Sequence, residues 1–132
     1  MVRILLADDL TIIRKGVRQI LTQAYPNAEI DEIEEGEEWT HKLKDAPWDM
    51  FISDLPGPER GGWDAIEHVR KEYPGLPVLI LGLYTKEHYA FRAFRTGAAG
   101  YLGKDAAPEE LIWAVRQVLA GKKYTAIPSE NN

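Results

Sequence analysis

Short apolar runs alternate along the chain with stretches whose apolar residues recur every three or four positions. Ile4–Ala7, bounded by Asp8-Asp9, is too short for a helix and predicts a buried strand. Thr11 can cap the next segment, where Ile13, Gly16, Val17, Ile20, Leu21 and Ala24 recur at helical spacing until Tyr25-Pro26 stops them. Residues 29–34 alternate apolar and acidic side chains and predict a half-exposed edge strand. A helix is expected over about Glu37–Lys44, ended by Pro47, and Met50-Phe51-Ile52 predicts a second buried strand ending at Ser53-Asp54. A Pro- and Gly-rich loop, LPGPERGG, then leads into a helix carrying Trp63, Ile66, Val69 and Tyr73. Val78–Leu81 predicts a strand, Lys86–Thr96 a helix with Ala90, Ala93, Phe94 and Gly97 on one stripe, and Ala99–Leu102 a short strand. Pro108 opens the last helix with Glu109 and Glu110 in its first turn, where the helix dipole favours acids, and Gly121 closes it.

Five strands alternating with five helices are the pattern of an open parallel sheet covered on both faces. One domain is expected over residues 1–122, with 123–132 an irregular tail or the start of a linker. The 132 residues need neither disulfide nor structural metal to bury a core. The absence of cysteine excludes disulfides, thiolate zinc sites and cysteine nucleophiles, and suits a reducing compartment. A formal charge of -5 and no basic stripe argue against direct nucleic-acid binding by this segment. No apolar run approaches the roughly 20 residues of a membrane helix. Met1-Val2-Arg3 passes straight into the first strand, leaving no room for a signal peptide, so a cytoplasmic location is expected. The six acids between Asp31 and Glu38 read as a solvated face.

The chemistry is expected at the carboxyl ends of the strands, where open α/β sheets bind ligands. Asp8 and Asp9 end the first strand, Asp54 ends the third, and Lys104 follows the fifth. With the first and third strands as neighbours, three carboxylates converge. Their mutual repulsion favours a hard divalent cation, and magnesium takes such oxygen ligands together with phosphate. A lysine beside them can hold a phosphate oxygen, and a carboxylate so placed can accept a phosphoryl group.

Over about residues 2–121 the sequence resembles the receiver domain of response regulators. The resemblance rests on ILLADD, with Asp8 and Asp9 as the metal pair, on DMFISD, with Asp54 as phosphoacceptor, and on GYLGKD, with Lys104 as the phosphate-binding lysine. Pro58 and Gly62 match the loop after the acceptor aspartate. The segments DDLTIIRKGVRQIL, GAAGYLGKDAAPEEL and VLAGKKY are most similar to transcription regulators with a LuxR-type helix-turn-helix output domain. The resemblance implies a flavodoxin-like fold of strand order 2-1-3-4-5, magnesium as cofactor, and phosphotransfer from a sensor histidine kinase. It also implies a metal bond from the Pro56 carbonyl and an aromatic switch at Tyr101. DNA would be reached only through an output domain absent from this chain.

Two positions depart from the family. Where it carries Ser or Thr at the end of the fourth strand, this chain has Gly82, and the lost bond to a phosphoryl oxygen costs on the order of 1.5–3 kcal/mol. Gly82→Thr is therefore expected to restore that bond and tighten the phosphorylated state, unless the backbone at 82 lies at positive φ. Pro56 keeps its carbonyl but has no N–H to offer phosphate. These departures motivate an alternative, a degenerate receiver acting as an interaction module without phosphate. An aspartate-nucleophile phosphohydrolase would need a second aspartate where Pro56 stands, and a flavin carrier would need N–H donors where Asp8 and Asp9 stand. The expectation is a signalling module and not an enzyme.

On the last helix, 100° per residue places Leu111, Ile112, Val115, Val118 and Leu119 on the buried stripe and Trp113 opposite. An outward tryptophan is an interface anchor for self-association, as in a homodimer, or for an output domain. Phe91, at the border of the preceding helix's stripe, is a lesser candidate.

Overall fold

The computed structural model describes residues 1–7, 11–33, 39–45, 47–55, 62–82 and 87–125. The chain runs β1 (Arg3–Ala7), α1 (Thr11–Ala24), β2 (Glu29–Ile33), α2 (Trp39–Lys44), β3 (Met50–Leu55), α3 (Gly62–Glu72), β4 (Val78–Gly82), α4 (Glu87–Thr96), β5 (Gly100–Gly103), α5 (Pro108–Leu119) and β6 (Tyr124–Thr125). All pairs are parallel, in the order β2-β1-β3-β4-β5-β6. The expected order of the first five strands holds.

Both sheet faces are covered, which is why β1, β3 and β4 are continuous apolar runs and not alternating ones. Ile4, Leu6, Met50, Ile52 and Leu79 point to one face, against Val17 and Leu21 of α1 and Leu111, Val115 and Val118 of α5. Leu5, Phe51, Ile80 and Tyr101 point to the other, against Leu43 of α2, Ile66 and Val69 of α3, and Ala93 of α4. Helix α4 ends at Gly97, whose φ of 117° suits glycine, with Ala98 N–H donating to the Ala93 carbonyl at 2.9 Å. The side chains of Trp63, Ala90 and Phe91 lie outside the described residues.

Three expectations change. The tail does not become irregular directly after α5: Tyr124 and Thr125 pair with Gly100 and Tyr101 as a sixth strand, and Tyr124 N–H donates to the Ala99 carbonyl at 3.0 Å. On α5 the buried residues are Leu111, Ala114, Val115 and Val118, while Ile112 and Leu119 are only half-buried. The helix is thus turned slightly toward Ala114, which the larger apolar residues outweighed in the projection. The acidic stretch is not wholly solvated. Glu32, 7 % exposed, accepts bonds from Arg14 Nε at 2.6 Å, Lys15 Nζ at 3.1 Å and Arg18 Nη1 at 3.0 Å. Burial pushes its carboxyl up, but the three cationic donors outweigh this and hold it below the usual value of 4.5. Arg14, 4 % exposed, is a charged residue buried on the inner side of α1.

Candidate functional site

The strand register decides which residues can meet. Ala7 pairs with Ser53, so β1 and β3 are neighbours and their carboxyl ends adjoin, with Asp54 on β3. Strand separation is about 4.8 Å, within which carboxylates from two strands can share one cation. On the far side of β3, Asp54 pairs with Leu81 and Leu55 with Gly82. Gly82 in turn pairs with Gly103. Lys104 follows directly, and its N–H donates to the Gly82 carbonyl at 2.9 Å, which fixes the lysine backbone against the end of β4. Lys104 is half-buried and borders an apolar cavity of about 140 Å³ that Ile13, Leu81, Leu102 and Leu111 also line. Its alkyl stem can lie along such a surface while the ammonium stays at the sheet edge.

Asp54, Gly82 and Lys104 therefore stand at one edge of the sheet, where the sequence reading put them. Asp8, Asp9 and Pro56 lie outside the described residues, as does the side chain of Asp54. Among the described residues no three His, Cys, Asp or Glu side chains gather as a metal site. The donors proposed for magnesium are all carboxylate or carbonyl oxygens, the chemistry that ion takes.

Tyr101 has no exposed surface and packs with Leu5, Phe51 and Ile80 in the core. Gly82 is not at positive φ; among the described residues only Gly97 and Gly121 are. A Cβ at Gly82 would lie 2.3 Å from Tyr101 Oη and 2.7 Å from Cζ. Sequence reasoning named both residues but missed that they compete for one volume. The expectation that Gly82→Thr would simply add a hydroxyl is corrected: the side chain and the tyrosine ring cannot both occupy this space. Trp113 points outward and is 49 % exposed, as the helical projection placed it.

The chain matches the profile of the response regulator receiver domain over residues 4–116. It belongs to that family. The receiver is similar to Response regulator UvrY of Escherichia coli strain K12, 30% identical over 126 residues, covering 96% of this chain and 58% of that protein. It is also similar to Response regulator GacA of Pseudomonas aeruginosa, 27% identical over 124 residues, with 94% and 58% covered. Among solved structures, a two-component response regulator of the LuxR family from Aurantimonas sp. SI85-9A1 superposes with a TM-score of 0.81 at 31% identity, covering 96% of this chain and 89% of that one. The receiver is thus akin to LuxR-type regulators, and it spans 58% of the length of the two curated relatives. Among the described residues no helix is long and apolar enough to cross a membrane.

Proposed function

We propose that this receiver accepts a phosphoryl group on Asp54 from the phosphohistidine of a sensor histidine kinase. The single observation that carries this reading is the register, which brings the ends of β1, β3, β4 and β5 to one edge with Asp54 and Lys104 on it. A carboxylate oxygen of Asp54 attacks phosphorus as the phosphorus–nitrogen bond of the donor breaks, and the imidazole leaves with the electron pair. Lys104 holds a phosphoryl oxygen and offsets its charge. Asp9 and Asp54, with Asp8 assisting and the Pro56 carbonyl completing the set, would hold magnesium. That ion supplies neutralisation of the charge gathering between donor and acceptor.

The phosphorylated receiver regulates transcription from the cytoplasm, acts as a signalling module and not an enzyme, and reaches DNA through an output domain outside this chain. Trp113 anchors an interface, in a homodimer or with that output domain. Incubation with acetyl phosphate tests the acceptor. Mass spectrometry should show one added phosphoryl group on wild type, only with magnesium, and none on Asp54→Ala. Equal labelling of both proteins moves the acceptor elsewhere, and labelling of neither leaves a module that works without phosphate.

A further inference from the structure

Gly82 ends β4 without needing glycine's backbone freedom, since it is not at positive φ. What requires glycine there is Tyr101. The phenol end fills the volume a side chain at 82 would take, with Oη at 2.3 Å, Cζ at 2.7 Å and Cε2 at 3.2 Å from a Cβ placed on Gly82. Contacts under about 3 Å cannot be kept, so any larger residue at 82 must displace the ring. The direction of the ring follows from the register. Tyr101 pairs with Ile80, two residues short of Gly82, so its side chain runs along the sheet toward the carboxyl edge. Two residues advance a strand by roughly 6.6 Å, about the reach of a tyrosine from Cα to hydroxyl. The ring is fully buried along this path, which holds Oη in place.

The family carries a Ser or Thr hydroxyl at position 82, one bond beyond Cβ. Here an oxygen already lies 2.3 Å from that Cβ position, inside the same side-chain volume, and it belongs to a different strand. We propose that Tyr101 supplies the hydroxyl that Gly82 lacks: Oη donates a hydrogen bond to a phosphoryl oxygen on Asp54. A phenol has one proton to donate, so a bond it makes in the unphosphorylated domain is exchanged for one to the phosphoryl oxygen. Gly82 is then not a lost function but the vacancy that admits the replacement. The inference rests on the reading of Asp54 as phosphoacceptor.

Tyr101→Phe tests it, because the ring that fills the core is kept and only the oxygen is removed. Beryllofluoride with magnesium serves as the probe, with affinity read by titration and the fold by thermal melting. Loss of a hydrogen bond to a charged oxygen should weaken beryllofluoride binding about tenfold or more, while melting without beryllofluoride stays cooperative and falls only by what the lost bond of the unphosphorylated domain contributes. In a Gly82→Thr background the threonine hydroxyl replaces the phenol and evicts the ring, so adding Tyr101→Phe should change affinity little. Equal affinity of wild type and Tyr101→Phe overturns the proposal and leaves Tyr101 a core residue, with the phosphoacceptor reading intact. If wild type itself binds no beryllofluoride, the phosphoacceptor reading falls and this proposal with it.

Discussion

Glu32→Gln removes one negative charge from β2 and leaves the shape of the side chain, which isolates the electrostatic role of the cluster on α1. Arg14 is 4 % exposed and meets Glu32 at 2.6 Å, so without the carboxylate it keeps a buried charge that has lost this ion pair. Breaking a buried pair from one side costs about 3–5 kcal/mol. Lys15 and Arg18 are about half exposed and regain water, so each of their pairs contributes only about 0–1 kcal/mol. The expected loss is about 3 kcal/mol. With an unfolding entropy of about 2.1 cal/mol/K per residue, that lowers the melting temperature of a domain this size by roughly 10 °C. The pH dependence has a definite sign. Because the folded carboxyl titrates below its ordinary 4.5, the stabilisation is fully present above that value and is lost as pH falls through the lower folded one. Urea unfolding of both proteins at pH 7 and again near pH 3 measures this. The variant should be markedly weaker at pH 7, with a gap to wild type that narrows as pH falls below 4.5. A loss under about 1 kcal/mol at pH 7, or a gap that persists unchanged in acid, refutes the assigned role of the cluster.

Asp9→Asn should weaken magnesium binding by about tenfold or more, read by tryptophan fluorescence during titration; an unchanged affinity removes Asp9 from the metal set. Trp113→Ala should lower self-association or output-domain docking in sedimentation or pull-down measurements. Stability should move by only about 0.5 kcal/mol, as for an ordinary surface site, and a large thermal loss without altered association would show that the ring serves the fold instead.

The sheet was legible because burial on both faces writes each central strand as an uninterrupted apolar run, and because Pro108, Gly97 and Gly121 punctuate the helices. The site was legible to the extent that strand ends are: Asp54, Gly82 and Lys104 fall where their strands stop. What escaped depends on contacts between distant segments. Glu32 looks like its acidic neighbours until α1 brings Arg14 and Arg18, four residues apart on one face, against it. The pairing of Tyr124 and Thr125 is made by backbone groups and leaves no period in the side chains. Gly82 read as a missing hydroxyl because one strand was inspected alone; only the register of β5 shows which ring stands in its place.

The sixth strand alters the heading of the chain. Helix α5 returns antiparallel to the strands, so at Leu119 the backbone has arrived at the amino edge of the sheet, far from the site. By pairing parallel to β5, Tyr124 and Thr125 reverse that course and point the backbone back toward the carboxyl edge, with Thr125 level with Tyr101. At Thr125 the backbone stands beside the strand whose tyrosine reaches Gly82 and is directed toward the edge that holds Asp54.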